Sequence, residues 1–164
     1  MTTASPRALY QKKINSGELQ PDEGQANAVM HLENLFEGLQ PSQQSRRFEP
    51  IRRLFGFGKH AKVAVKGLYL YGGVGRGKTM LMDMFAKAAG PLHSQRFHFH
   101  DFMVKAQNEV QAARKAEHAD PISSAADKLM AGGQIICFDE MEVRDIADAM
   151  IIRRLFLAMW ERGM

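Results

Sequence analysis

Four residues whose types and spacing suit phosphate chemistry stand together in "GGVGRGKT", residues 72–79. Gly72, Gly77, Lys78 and Thr79 fill every defined place of G-x-x-x-x-G-K-[ST], with Gly73, Val74, Gly75 and Arg76 between them. Glycines let the backbone turn tightly enough for successive amide N–H groups to face one anion. A helix starting directly afterwards adds the positive end of its dipole. Lys78 is the expected contact to the β- and γ-phosphates of a nucleotide, and the Thr79 hydroxyl the expected Mg2+ ligand. The competing account is a glycine-rich turn with a chance lysine. The context weighs against it, because the apolar "LYLY" of residues 68–71 precedes the loop and "MLMDMF" follows it, the strand–loop–helix order that the motif needs.

A second constellation closes the apolar run "QIICFDE", residues 134–140. An acid at such a strand end, here Asp139, holds magnesium through its water shell in P-loop proteins. Glu140 is the expected general base, orienting and deprotonating the attacking water, so the pair points to hydrolysis of a nucleoside triphosphate rather than transfer to a small metabolite. Two acids capping the next loop is the simpler account, and it weakens once the phosphate loop is in place. His98 and His100 share one face of the strand read from "RFHFH", residues 96–100, and with a third ligand could bind a metal. Core or interface histidines are the preferred reading, since no Cys or His cluster accompanies them. Met80, Met82, Met84 and Phe85 read as helix packing, and Cys137 as a small buried strand residue.

The elements that must position these residues follow from the hydrophobic pattern. Residues 68–71 read as the first core strand, residues 79–89 as a helix, 96–100 as a second strand and 102–116 as a helix. A turn follows at His118 and Ala119. Asp120 then caps a helix begun by Pro121, stopped by Gly132 and Gly133, before the strand at residues 134–140 and a last helix that begins after Asp145 and ends near Gly163. Strand, glycine loop, helix, strand, helix, helix, strand, helix is the order of a parallel α/β sheet with flanking helices. Ahead of it, Asp22 precedes an amphipathic helix in "EGQANAVMHLENLFEGL", ending near Gly38. The next stretch, "QPSQQSRRFEPIRRLFGFGKHAKVAVKG", reads as a linker with two arginine pairs, Arg46 with Arg47 and Arg52 with Arg53. A solvated linker is preferred over a dedicated nucleic-acid patch. The expected organisation is a helical segment and basic linker over residues 1–60 and the nucleotide-binding core over residues 61–164.

A chain of 164 residues, 45% of them hydrophobic, has the size of one ordinary domain and enough apolar surface for a core. Its net charge of +4 and pI near 9.3 permit an acidic partner and select none. The single cysteine excludes an intrachain disulfide and fits a reducing compartment. No signal-like apolar segment opens the chain, and no run approaches a membrane span of about 20 apolar residues. The expectation is a cytoplasmic chain with no transmembrane segment.

"GLYLYGGVGRGKTMLMDMF", "RFHFHDFM" and "ICFDEMEVRDIADAM" together resemble the ZapE family of AAA+ ATPases, as does the opening "LYQKKINSGELQPDEGQANAVMHLENL". The resemblance runs from about Leu9 to Met164 and departs mildly at Asp101 and Met141, neither a catalytic position. It implies ATP and Mg2+ as cofactors, with residues 72–79 as the nucleotide contacts, Thr79 and Asp139 as magnesium ligands and Glu140 as the base. The implied fold is a P-loop NTPase of the AAA+, additional-strand class. The implied partners are cell-division proteins and the tubulin-like division ring, with self-association in the full-length form, while eukaryotic relatives are mitochondrial and linked to protein quality control.

Relatives of this kind continue beyond the position of Met164 into a strand with a polar sensor, an arginine finger and a C-terminal subdomain. The expectation is therefore a core truncated before its later strands. Residues 68–71 and 134–139 would then lack the strand inserted between them, MgATP would bind weakly and turnover would be negligible. Two other classes compete with the protein-remodelling ATPase. One is a nucleic-acid-associated module such as a helicase loader, motivated by the basic linker and pI. The other is a nonenzymatic interaction fragment.

Overall fold

The computed structural model describes residues 4–40, 67–90, 94–133, 135–143 and 145–162, and the chain divides into two compact units, Met1–Ala88 and Ala89–Met164. The linker with its arginine pairs lies outside the described residues.

Among its described residues the first unit holds helices and the glycine loop. α1 (Pro6–Asn15) starts with Pro6 behind Ser5, whose hydroxyl accepts the Ala8 N–H at 3.3 Å. α2 (Glu23–Leu39) is capped by Asp22, as its sequence indicates, and α3 (Lys78–Ala88) follows the glycine loop. Val29, Leu32 and Phe36 on α2, and Leu81, Met84, Phe85 and Ala88 on α3, are buried at intervals of three and four residues. The three helices pack against one another in every pairing. Between α1 and α2, the Arg7 N–H donates to Glu33 Oε2 at 2.8 Å. Met84 and Phe85 thus serve packing, in line with the sequence.

Residues 68–71 depart from expectation. They form no strand among the described residues. Tyr69 and Tyr71 are 67% and 85% exposed, their rings stacked 6.5 Å apart on one side of the segment. An apolar run supplies strand propensity, but a strand exists only where a neighbour takes up its amide and carbonyl groups.

The second unit holds two parallel strands, β1 (Ser94–His98) and β2 (Ile135–Asp139), paired from Ser94 with Ile135 to His98 with Asp139. A parallel pair needs a long crossover. Here it is a helical hairpin, α4 (Phe99–Lys115) and α5 (Pro121–Met130), and α6 (Ile146–Glu161) follows β2. Phe102, Leu129, Leu155 and Met159 are fully buried at the centre. Phe97, Ile136 and Phe138 close that core from the sheet. Phe138 meets Phe102 edge to face at 4.7 Å and Phe99 at 5.9 Å, geometry that favours aromatic pairs beyond their area.

Local chemistry sets the boundaries. Asp120 Oδ1 accepts from the Ile122 and Ser123 N–H groups, each at 3.1 Å, and Asp145 Oδ1 accepts from Asp148 at 3.0 Å. Glu117 ends α4 in the left-handed region, φ +54°. The His118 N–H reaches the Ala113 carbonyl and the Glu117 N–H that of Arg114, the Schellman pattern that absorbs such a residue. The strand expected over residues 96–100 is shifted. Phe99 and His100 already belong to α4, because Phe99, Phe102, Met103 and Ala106 bury one helical face. His98 and His100 therefore do not share a strand face, which removes the basis for pairing them as metal ligands. Among the described residues no group of three His, Cys, Asp or Glu side chains could hold a metal ion, and no helix is long and apolar enough to cross a membrane.

Candidate functional site

The glycine loop lies in the first unit and the acids in the second. In the loop, Gly72, Gly75 and Gly77 take φ of +143°, +77° and +82°, values open to glycine at no steric cost. Lys78 Nζ donates to the carbonyl oxygens of Gly72 and Gly73, both at 2.9 Å. The ammonium thus lies over its own loop and engages acceptors of the kind that a phosphate would offer. Val74 at the loop tip is fully exposed. The Leu81 N–H donates to the Gly77 carbonyl at 3.0 Å, so the helix grows directly out of the loop. Thr79 stands in its first turn.

The start of α2 braces this loop, a contribution the sequence does not announce. Asp22 Oδ1 accepts the Gln25 N–H at 2.8 Å, and Asp22 Oδ2 accepts from Arg76 Nη2 at 3.0 Å. Gln25 Nε2 donates to the Arg76 carbonyl at 3.3 Å. Gly77 is confined by this contact: a Cβ there would stand 3.1 Å from Gln25 Nε2 and 3.3 Å from Met80 Cε. Loop and helix together enclose a cavity of about 220 Å³ beside Gln25, Gly72, Gly73 and Lys78. Backbone N–H groups, a lysine and a helix start around one cavity fit a nucleotide's phosphates.

The acids sit where open α/β sheets bind ligands, at the carboxyl ends of the strands. Phe97 and Phe138 face the core, so alternation sends Arg96, His98 and Asp139 to the opposite face. There Arg96 Nη2 donates to Asp139 Oδ2 at 3.1 Å, tying the carboxylate to the neighbouring strand by a charged hydrogen bond. Glu140 follows in the left-handed region, φ +52°. For a residue with a Cβ this costs about 1–2 kcal/mol, and no helix end absorbs it, unlike Glu117. Its side chain lines a cavity of about 310 Å³ with His98, His100, Glu142 and Asp148. Gln107 Nε2 on α4 holds Asp148 Oδ1 at 2.7 Å.

Within the first unit, then, Gly72, Gly73, Arg76 and Lys78 are gathered around one cavity, while Val74, Gly75, Gly77 and Thr79 do not line it, and within the second Asp139 and Glu140 stand at one strand end. The hold of Asp22 on Arg76, the contact of Gln25 with the loop and the pairing of Arg96 with Asp139 escaped the sequence reading. Asp22 and Gln25 belong to an ordinary amphipathic helix with no motif. Only the alternation of "RFH" against the buried phenylalanine hinted at Arg96.

A glycine loop opening a helix and an acidic pair closing a parallel strand define the class of P-loop nucleotide-binding proteins. The chain belongs to the AFG1-like ATPase family, whose model matches residues 4–164. It is 38% identical to Cell division protein ZapE of Escherichia coli strain K12 over 169 residues, 99% of this chain and 44% of that protein. It is 34% identical to an uncharacterized protein of Schizosaccharomyces pombe over 187 residues, 97% of this chain and 41% of that protein. Lactation elevated protein 1 homolog B of Danio rerio is 37% identical over 107 residues, 60% of this chain and 21% of that protein. The chain thus spans less than half the length of these relatives. No solved structure matches it.

Proposed function

We propose that the chain is the nucleotide-binding part of a Mg2+-dependent ATPase of the AAA+ class that couples hydrolysis to remodelling of a protein partner. The observation that carries the reading is the loop itself: three glycines at positive φ and Lys78 resting on the carbonyls of Gly72 and Gly73. In this reading the backbone N–H groups of residues 72–79 bind the phosphates and Lys78 leaves its carbonyls for the β- and γ-phosphate oxygens. Mg2+, held by the Thr79 hydroxyl and through water by Asp139, would offset phosphate charge. Glu140 takes the proton of the attacking water. The name of the Escherichia coli relative favours a role in cell division.

The test is calorimetric titration of the chain with MgATP, with Lys78→Ala beside it. Loss of one charge-assisted contact of about 1.5–3 kcal/mol should weaken binding at least tenfold. Equal affinity of the two proteins would defeat the assignment of the loop.

A further inference from the structure

Gln25 stands in the first turn of α2 and borders the same cavity as Gly72, Gly73 and Lys78. Which end of its amide is which follows from chemistry. Only the NH2 end can donate to the Arg76 carbonyl, 3.3 Å away, so the other end is Oε1. That Oε1 is buried and accepts no hydrogen bond among the described residues, although buried polar atoms almost always have a partner. The amide is also held in place. Asp22 binds the Gln25 N–H with one oxygen and Arg76 with the other, and glycine at position 77 leaves the room that Nε2 occupies.

An amide with one NH2 hydrogen engaged and an oxygen without a partner among the described residues, beside a phosphate-binding loop, calls for a ligand that brings a donor. Beyond its phosphates a nucleotide offers donors on the base and on the ribose. Adenine presents its 6-amino N–H next to the N7 acceptor, a pattern that one carboxamide matches with its oxygen and its second NH2 hydrogen. Guanine and hypoxanthine present an oxygen at position 6, which would face Oε1 with no hydrogen between them. Resting on the nucleotide-binding reading above, we infer that Gln25 is the residue that selects 6-aminopurine over 6-oxopurine nucleotides, its Oε1 accepting the 6-amino N–H. The ribose hydroxyls are the rival donors, and they are shared by both kinds of nucleotide.

The experiment titrates the full chain with Mg2+ and ADP, IDP or 2′-deoxy-ADP, read by calorimetry so that turnover plays no part. ADP should bind more tightly than IDP by about 5- to 150-fold, the range of one bidentate base-edge contact. Gln25→Met should bring the ratio of ADP to IDP affinity close to one; because Gln25 also braces the loop through Arg76, it is this ratio, and not either affinity alone, that tests the inference. Equal binding of ADP and IDP by the unaltered chain overturns the inference. So does a preference that survives in Gln25→Met, or one that tracks the 2′-hydroxyl instead. Lys78→Ala separates the two levels of the argument. If it weakens ADP and IDP alike, the loop reading stands whatever Gln25 does; if it weakens neither, loop and base selection fall together. Should Gln25→Met not fold, purine riboside 5′-diphosphate, which carries hydrogen in place of the 6-amino group and adds no bulk, decides with the unaltered chain: a loss like that of IDP upholds the role of Oε1, and unchanged affinity overturns it.

Discussion

Both candidate loops carry the backbone through the left-handed region, the first with glycines at 72, 75 and 77 and the second with Glu140. The first has no side chain at those turns, because what it presents is the backbone itself. The second keeps a side chain in spite of the steric cost, in keeping with the proposed role of its carboxylate. Their supports differ as well. β2 is paired with β1 along its length and backed by a cluster of phenylalanines, whereas the residues before the glycine loop form no strand among those described and expose Tyr69 and Tyr71. Strain is affordable at the end of a well-held strand; a loop without that anchor relies on residues that need none.

The largest effect should come from removing the anchor. Phe102→Ala empties a fully buried site against Phe138 and should lower unfolding stability by about 3–5 kcal/mol, while Tyr71→Ala, 85% exposed, should stay within about 0.5 kcal/mol. Equal shifts in urea midpoint would break the contrast in support. Next in size is Gly77→Ala. Its φ of +82° and the 3.1 Å approach to Gln25 should cost about 1–2 kcal/mol, read as weaker MgADP binding; an unperturbed affinity would mean that the glycine is dispensable.

Glu140→Gly tests the other loop with the opposite sign. Relief of the left-handed strain of about 1–2 kcal/mol is partly offset by about 0.5–1 kcal/mol of glycine entropy. The melting temperature should therefore hold or rise slightly, and a clear fall would show that Glu140 stabilises the fold. The smallest effect belongs to the surface of the second unit, where Arg162 pairs with Asp127 and also reaches the Ser123 hydroxyl and the Ala158 carbonyl. The hydrogen bond from Arg162 holds the Asp127 carboxyl below its ordinary value. With the folded value depressed, the stabilisation is present above the usual carboxylate pKa of 3.8 and is lost as pH falls through the lower folded value. Arg162→Ala should shift the denaturation midpoint slightly at neutral pH, and the difference should shrink in strongly acidic solution, where only the contacts with Ser123 and Ala158 remain.

Much of this was legible in the sequence, and for identifiable reasons. Asp22, Asp120 and Asp145 announce helix starts because a capping carboxylate acts within three residues of itself. The burial of Met84, Phe85 and Cys137 follows from local periodicity. Residues 68–71 misled because a strand is a property of two segments, and sequence shows one. The boundary at Phe99 misled because "RFHFH" fits alternation, while the buried run Phe99, Phe102, Met103, Ala106 can be weighed only once the core is known. Gln25 was invisible for a third reason: an orphaned oxygen is defined by everything around it.

Gln95 carries a last consequence, for the order of folding events. Its Nε2 donates to the Leu129 carbonyl at 3.0 Å, and Gly132 lies so close beneath it that a Cβ would overlap Oε1 at 2.3 Å. The end of α5 is thereby latched to β1 just before β2 begins. Since Ser94 pairs with Ile135, closing this latch presets which residues of the two strands meet, and a slip by one would turn Phe138 out of the core. The latch cannot close until the α4–α5 hairpin has brought Leu129 back to Gln95. The strands should consequently zip late and in a single register, with hairpin closure setting the pace of the second unit's folding.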